Sequence, residues 1–429
     1  MLKKLTILTG VVIFFSSFSF AQWVNQGAWP DTSIKGQNHA MAVDPDGKVW
    51  ATNFGLDTTV VNGTDTLRLR RIRVFNADGS QASFSPISFV TVGGVTDTLL
   101  SASNFRGMRA DQNGNILFVN GNQTMYRLNY QTGEGMNKVA LGIGTSPVAP
   151  AVADNGNIFV GPVVNVGLAI QEYTSDFTFL GNAVSGLTDG FSRSMEVSPD
   201  GNTIYFPVYD KDNIYIYNRP SDLDPFVLAD SIFGPACESI AWNPATGHLW
   251  FSGGSFNDRP DSLSIYTPNT WYAYDFSTSS VVDSLKWQFT TPDSPTERPR
   301  SITFSPDGNT AYIGCFGGAG YALIQKVVNT GAEVKPDPNV VVTKYTLAQN
   351  YPNPFNPTTD IKFTVAKEGF VTLRVYDLLG KEITNLVDKY MSSGGYTVDF
   401  DASNLASGTY IYTLSVNGVS ISKKMMLLK

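Results

Sequence analysis

The sequence MEVSPDGNTIY at residues 195–205 decides the fold of most of this chain. Apolar residues alternate on both sides of a Ser-Pro-Asp-Gly turn, which is the pattern of a β-hairpin. In such a turn the proline fixes φ, the aspartate tolerates left-handed geometry and the glycine supplies a positive φ. The segment therefore predicts two antiparallel strands that reverse at Gly201.

The same hairpin recurs five more times along the chain. The other copies read MAVDPDGKVW at 41–50, MRADQNGNILF at 108–118, AVADNGNIF at 151–159, IAWNPATGHLW at 240–250 and ITFSPDGNTAY at 302–312. Successive turn glycines lie 67, 42, 45, 46 and 61 residues apart. A period of about 40 to 50 residues is typical of one four-stranded β-propeller blade, with insertions in the first and fifth copies. We therefore predict an all-β chain with a six-bladed propeller over residues 22–332, seven blades being the alternative, and expect Trp23–Trp29 to complete the last blade.

In its residues and their spacing, this hairpin resembles those of NHL-type, regucalcin-type and surface-antigen propellers. The resemblance implies a fold and leaves the function open, because propellers serve as lactonases, peptide binders, glycan binders and scaffolds. Two functions are compatible with this fold. The first is a non-catalytic binding or scaffold domain, and the second is a six-bladed hydrolase or lactonase with a metal at the channel mouth.

Charged residues recur at one position of the repeat, eight residues before the turn glycine or nine in the fifth copy. This position should lie at the mouth of the central channel, and it is occupied by His39, Arg106, Val148, Arg193, Glu238 and Arg300. Glu196 is a nearby second carboxylate. Arginine binds carboxylates and phosphates through a planar fork, so the set predicts a pocket for an anionic ligand or a glycan. The alternative is a ring of charges that satisfy one another.

Enzyme and metal signatures are scarce. The chain has only two histidines and no H-E-x-x-H, G-x-S-x-G or G-x-x-x-x-G-K motif, so we assign no catalytic residue, metal ligand or cofactor. Calcium bound by the turn carboxylates Asp44, Asp46, Asp200 and Asp307 is the alternative, although turn chemistry already accounts for them. The two cysteines, Cys237 and Cys315, predict either a disulfide between neighbouring blades or two buried small side chains.

The N-terminus predicts export. Lys3 and Lys4 precede an apolar run from Leu5 to Phe15, which is too short to span a bilayer, and small residues end at Ala21. Residues 1–21 therefore predict a signal peptide, and no other segment is apolar enough to span a membrane. The formal net charge of -7 argues against nucleic acid as a partner.

The C-terminal part predicts a second domain. Residues 333–343 contain Lys335-Pro336-Asp337-Pro338-Asn339, which we expect to form a stiff linker without strand pairing. Residues 344–429 contain six or seven short strands at near-regular spacing, which predicts a small Ig-like β-sandwich.

This second domain closely resembles the type A C-terminal sorting domain of the type IX secretion system. The segment NYPNPFNP at 350–357, VYDLLGK at 375–381, the SGTY hairpin from 407 and the basic last strand carry the likeness. It implies a sorting signal that includes Pro352, Asn353, Pro354, Phe355, Asn356, Pro357, Gly408, Tyr410, Gly418, Lys423, Lys424 and Lys429. The resemblance implies the type IX secretion machinery as partner and an extracellular or outer-surface location, reached through the periplasm. A permanent Ig-like adhesion domain is the alternative.

Overall fold

The computed structural model of the chain describes thirteen segments, and the predicted signal peptide lies outside them. The described residues are 23–31, 36–53, 58–62, 65–99, 105–254, 266–288, 298–317, 322–329, 334–337, 343–367, 369–391, 393–403 and 405–429. The chain separates into a large unit, Trp23–Asn329, and a small unit that contains Thr330–Lys429. Among the described residues there is no α-helix, and no helix is long and apolar enough to cross a membrane.

The described residues of the large unit form 27 strands and one short 3-10 turn at Tyr209–Lys211. The strands are β1 (Trp23–Trp29), β2 (Asn38–Val43), β3 (Val49–Asn53), β4 (Thr58–Asn62), β5 (Asp65–Leu69), β6 (Ile72–Phe75), β7 (Phe89–Val92), β8 (Val95–Thr98), β9 (Phe105–Ala110), β10 (Ile116–Asn120), β11 (Thr124–Leu128), β12 (Gly135–Ala140), β13 (Ala151–Val152), β14 (Ile158–Val160), β15 (Ile170–Tyr173), β16 (Phe179–Val184), β17 (Glu196–Val197), β18 (Thr203–Val208), β19 (Asn213–Asn218), β20 (Val227–Phe233), β21 (Ile240–Trp242), β22 (Leu249–Ser252), β23 (Thr270–Asp275), β24 (Ser280–Lys286), β25 (Arg298–Phe304), β26 (Thr310–Phe316) and β27 (Ile324–Asn329).

These strands form six small antiparallel sheets, each of which begins with one copy of the repeat. Sheet 1 is β2-β3-β6, sheet 2 is β9 to β12, sheet 3 is β13 to β16, sheet 4 is β17 to β20 and sheet 5 is β21 to β24. Sheet 6 has the order β25-β26-β27-β1, and the ribbons β4-β5 and β7-β8 are separate. The first strand of each sheet contacts the first strand of the next, and β25 also contacts β2.

The predicted hairpin turns are confirmed. All six turn glycines have positive φ, between +68° and +88°. In the first copy, Asp44 Oδ1 accepts the N–H groups of Asp46 and Lys48 at 3.0 and 2.9 Å, and Asp44 Oδ2 accepts Trp50 Nε1–H at 2.9 Å. Asp111 holds the turn of the second copy in the same way. The turn carboxylates thus satisfy backbone donors, as turn chemistry predicts.

The prediction that Trp23–Trp29 joins the last sheet is also confirmed. Strand β1 pairs with β27 in antiparallel register from Trp23↔Asn329 to Trp29↔Ile324. Trp23 packs edge-on against Trp250 of sheet 5, with ring centroids 5.4 Å apart, and donates its Nε1–H to Asp283 Oδ2 at 2.8 Å. Strand β1 therefore contacts both sheet 5 and sheet 6.

The small unit contains two four-stranded antiparallel sheets with the orders β28-β33-β30-β29 and β32-β31-β34-β35. Its strands are β28 (Val334–Asp337), β29 (Thr346–Leu347), β30 (Thr358–Val365), β31 (Gly369–Tyr376), β32 (Glu382–Met391), β33 (Gly394–Asp401), β34 (Gly408–Val416) and β35 (Val419–Leu427). Apolar side chains of both sheets, such as Phe363 and Leu414, form one core. The two sheets therefore bury their inner faces against each other.

One expectation for the linker is wrong. Residues 334–337 pair with β33, where Pro336 lies opposite Tyr396. Strand β28 lies at the edge of its sheet, and an edge strand tolerates a proline whose nitrogen faces away from the partner strand. Pro336 therefore does not keep residues 334–337 out of the sheet.

The disulfide alternative is also absent from the structure. Cys237 and Cys315 are both buried, unoxidised thiols. Cys237 packs with side chains of sheets 4 and 5, whereas Cys315 packs in a separate cluster of sheets 5 and 6. The two cysteines therefore fill the core as small side chains.

Two turn glycines provide a matched test of how closely the repeats pack. Both need a positive φ, but a Cβ at Gly114 would lie 2.2 Å from Pro45 Cγ of the preceding turn, while a Cβ at Gly247 would meet no atom within 4 Å. We expect Gly247→Ala to lower the free energy of unfolding by about 1 to 2 kcal/mol through backbone strain alone. Gly114→Ala should cost roughly 2 to 5 kcal/mol, because overpacking adds to the strain. Urea unfolding of both variants measures the difference, and equal losses would contradict the close packing.

Candidate functional site

A small cavity lies where the first strands of the six sheets meet. Its atom-free space is about 320 Å³, including the part open to solvent. Its wall includes six small residues, each of which lies in the first strand of a sheet or one or two residues before it: Ala40, Gly107, Ala149, Ser194, Ser239 and Ser301. The strands approach so closely that a Cβ at Gly107 would lie 2.1 Å from Ala149 Cα. At Gly107 the absence of a side chain is therefore a steric requirement.

Three of the predicted mouth residues line this cavity: His39, Arg193 and Arg300. His39 is buried, and its Nδ1 lies 2.6 Å from the backbone oxygen of Phe105. The backbone of Arg106 belongs to β9, but its side chain lies outside the described residues. Three of the predicted residues thus line the cavity, whereas Val148, Glu196 and Glu238 are not among its lining residues.

The carboxylate of Glu238 is held by an arginine. Glu238 Oε2 forms an ion pair with Arg300 Nη1, and both side chains are almost fully buried. The Arg300 guanidinium also lies over the ring of Phe316, 4.9 Å from its centroid. Because a buried charge is costly without a partner, this pairing neutralises both groups. Of the two, Arg300 lines the cavity.

Glu196 is held by an arginine that the sequence analysis did not select. Arg109 Nη2 lies 2.5 Å from Glu196 Oε1 and 3.4 Å from the backbone oxygen of Ile240. Arg109 belongs to sheet 2, Glu196 to sheet 4 and Ile240 to sheet 5. The arginine therefore reaches past sheet 3 and connects strands that are not sequence neighbours.

A signal for this pair was present in the sequence. Arg109 and Glu196 both lie five residues before their turn glycines, where Ala42, Ala151 and Thr303 stand in other copies. Two opposite charges at a repeat position that holds small or neutral residues in other copies indicate an ion pair between those two copies. Counting a single position per copy overlooked it.

Burial and the charge of Arg109 shift the pKa of Glu196 in opposite directions. Burial raises the pKa of Glu196 to about 7, although the positive charge of Arg109 lowers it. The carboxyl group therefore exchanges its proton near neutral pH, and the strength of its pairing with Arg109 depends on pH.

Arg193 contacts an aromatic side chain. Its Nη2 donates to the hydroxyl oxygen of Tyr209 at 3.2 Å, and its guanidinium lies 5.1 Å from the centroid of that ring. Tyr209 begins the short 3-10 turn after β18. The tyrosine thus orients Arg193 at the cavity.

The residues present do not fit a calcium or catalytic metal site. Among the described residues, no three His, Cys, Asp or Glu side chains cluster as metal ligands. Asp200 Oδ1 accepts Asn202 N–H at 3.0 Å and Asp307 Oδ1 accepts Asn309 N–H at 3.1 Å. Calcium takes six to eight oxygen ligands, whereas these oxygens already serve the turns. We therefore derive no step through a metal.

Cys237 is unsuited to nucleophilic chemistry. Burial raises the pKa of its thiol to about 12, and its S–H donates to the backbone oxygen of Ser239 at 3.2 Å. The thiolate is the reactive form of cysteine, so this group is inert at neutral pH.

In the small unit, the predicted sorting residues from its two ends meet. Phe355 is buried, its N–H donates to Met426 O and its carbonyl oxygen accepts Leu428 N–H, each at 3.0 Å. The side chain of Asn353 accepts Met426 N–H at 2.9 Å. The proline-rich opening is thus pinned along the last strand, β35.

The remaining sorting residues fall into two groups. Pro352, Pro354, Asn356, Lys423 and Lys424 are exposed. Tyr410 donates its hydroxyl to Ala406 O at 2.8 Å, and Lys429 Nζ donates to Ser403 O. Pro357 O accepts Ala402 N–H at 3.0 Å. Gly418 forms the turn of the β34–β35 hairpin with φ +78°, and Gly408 pairs with Leu427. The first group is available for contact, and the second maintains the fold.

Comparisons with known proteins identify this unit. Residues 349–428 match the family model described as the secretion system C-terminal sorting domain. No curated protein matches the chain. Among solved structures, the chain is similar to PorZ of Porphyromonas gingivalis, described as an essential bacterial surface component of the type-IX secretion system, with 13% identity and a TM-score of 0.42. The likeness covers 91% of this chain and 51% of PorZ, so the chain spans about half the length of that protein.

The matched module defines an exported protein. Its sorting domain directs the chain through the type IX secretion system to the outer cell surface or the extracellular space. The small unit therefore meets the type IX secretion machinery, and this localisation agrees with the sequence prediction.

The Arg109–Glu196 pair gives a testable expectation. Arg109→Met removes the partner of a buried carboxylate, which should cost about 3 to 5 kcal/mol of unfolding free energy when the carboxylate stays ionised. Without Arg109 the pKa of Glu196 rises further, so the loss should be small near pH 5 and grow as pH increases through 8. Urea unfolding at several pH values measures it.

The control is the double variant Arg109→Met/Glu196→Met. Replacing a buried pair by apolar side chains of similar size is often neutral, so this variant should recover most of the lost stability and its pH dependence should vanish. A double variant as unstable as Arg109→Met would show that the ion pair does not explain the cost.

Proposed function

We propose that this chain is a cell-surface or secreted protein whose large unit is a six-bladed β-propeller that binds or scaffolds without catalysis. The contacts among first strands carry this proposal: β2, β9, β13, β17, β21 and β25 contact one another in sequence, and β25 contacts β2. Pairing of β1 with β27 adds an N-terminal strand to the last sheet, which is a common way to close such a ring. Residues 1–21 would serve as the signal peptide, and the small unit would be Ig-like.

The chemistry of the cavity supports a non-catalytic role. General acid and base catalysis needs groups that can exchange protons with a substrate, and nucleophiles need an activating base. Here Glu238 forms an ion pair with Arg300, and the thiol of Cys237 is protonated. Glu196 has a pKa of about 7, but its side chain is buried against Arg109 and is not one of the cavity-lining residues. A hydrolase or lactonase of the metal type is the alternative, and it would need oxygen ligands that these pairs do not offer.

The charge of the cavity supports an anionic ligand. Three arginines line it, Arg109, Arg193 and Arg300, while two glutamates pair with two of them. The formal balance is +1 in a protein whose net charge is -7. A local positive potential inside an acidic protein attracts a small carboxylate or phosphate, and the planar guanidinium of Arg193 lines the cavity. A neutral glycan is the second candidate, since hydroxyl and guanidinium groups also bind sugars.

Ligand binding can be tested on the mature full-length chain by calorimetry with small carboxylates, inorganic phosphate and neutral oligosaccharides. We expect an anion to bind and Arg193→Gln to weaken it at least tenfold, while exposed Lys286→Gln leaves affinity unchanged. Binding only by neutral sugars would replace the anion proposal. Stoichiometric calcium or zinc in the purified protein would instead favour the metal-dependent hydrolase.

Ring closure can be tested by hydrogen exchange on Trp23→Ala. In a closed ring, loss of the Trp23 contacts should weaken sheets 5 and 6 together and also expose β2 of sheet 1, because each sheet supports its neighbours. The expected result is faster amide exchange in all three sheets, with little change in sheet 3. Acceleration confined to β1 and β27 would argue for an open array of sheets.

A further inference from the structure

The hairpin tip between β31 and β32 exposes two adjacent leucines. Leu378 is 63% exposed and Leu379 is 94% exposed. Neither belongs to the core of the small unit. Apolar side chains gain free energy when they leave water, so two adjacent exposed leucines at one turn form a small apolar patch that a partner could bury.

The turn itself does not require leucine. Asp377 Oδ1 accepts the N–H groups of Leu379 and Lys381 at 2.8 and 2.9 Å, and Gly380 N–H donates to Asp377 O at 3.1 Å. These are the same hydrogen bonds that hold the Asp44 and Asp111 turns of the large unit.

At the two tip positions the other turns carry different residues. The Asp44 turn presents Pro45 and Asp46, and the Asp111 turn presents Gln112 and Asn113, all exposed. The backbone geometry is therefore indifferent to the side chains at the tip. The leucines are held outward on a rigid, preorganised turn, which lowers the entropic cost of docking.

We propose that Leu378 and Leu379 form an apolar knob that docks into an apolar socket of the type IX secretion machinery. The knob lies within residues 349–428, the range that matches the sorting family, so it belongs to the module that meets that machinery. The inference rests on export by this route and specifies the surface used.

The charges around the tip favour a protein socket over a lipid surface. Asp377 and Lys381 flank the leucines, and Glu382 pairs with Arg374 at 3.4 Å at the base of the hairpin. The tip is thus formally neutral with two carboxylates, whereas segments that insert into anionic membrane surfaces are usually basic. A protein partner can satisfy charges of both signs around an apolar contact.

The test is export of the full chain from a strain with a working type IX system. The variant Leu378→Gln/Leu379→Asn copies the tip of the Asp111 turn, so its hairpin should fold normally. We expect the surface and medium fraction, measured by immunoblot of cell fractions, to fall at least tenfold while the periplasmic fraction rises. The melting temperature of the purified variant should match that of the wild type.

Two control variants keep the result interpretable. Leu378→Met/Leu379→Met retains an apolar tip and should be exported normally. Phe370→Thr removes an exposed apolar side chain of β31, 40% exposed, and should also be exported normally. Normal export of the Gln/Asn variant, or equal loss in the Phe370→Thr variant, would overturn the proposed knob.

Two further measurements distinguish a wrong partner from a wrong export route. If the purified wild type floats with vesicles of outer-membrane lipid and the Gln/Asn variant does not, the socket is lipid and the protein partner is wrong. If the wild type still reaches the surface when the secretion channel is deleted, the export route fails, whatever the tip does.

Discussion

The close approach of the first strands is the constraint on which the large unit depends. Six small residues, in or just before the first strands of the six sheets, line the cavity, and Gly107 lies against the backbone of Ala149 with no space for a side chain. Because the strands are this close, little room remains between them. The cavity is consequently small, and charged groups in its wall are almost dehydrated. The short distance between the first strands thus limits both the size of the cavity and the hydration of the charged groups around it.

Dehydration explains why the charges are arranged as pairs. An isolated buried carboxylate would take up a proton or destabilise the fold, whereas pairing with arginine offsets part of that cost. Glu238 pairs with Arg300 at the start of the next sheet, whereas Glu196 of sheet 4 pairs with Arg109 of sheet 2. The second pair also bonds the carbonyl of Ile240, so one guanidinium links three sheets. Such a link restricts how far the first strands can separate.

Features with a local cause could be predicted from the sequence, and features with a non-local cause could not. The turns at Gly47 and Gly114 follow from backbone preferences of neighbouring residues, and the sorting module follows from a motif of contiguous residues. Arg109 was missed because its partner lies 87 positions away and only the assembled strands bring them together. Pro336 was assigned to an unpaired linker because its tolerance in a strand depends on which side the partner lies. Cys237 and Cys315 could not be paired or separated from spacing alone.

The same turn chemistry serves both units with different consequences. An aspartate that accepts two backbone N–H groups, followed by glycine at positive φ, fixes the loop without using the two side chains at its tip. In the large unit one such tip packs its proline against the glycine of the neighbouring turn, so the loop contributes to the stacking of repeats. In the small unit the tip carries Leu378 and Leu379, which contribute nothing to the core. Because the backbone is satisfied in either case, the tip residues are free to vary with function, and an apolar pair there is best explained by contact with a partner.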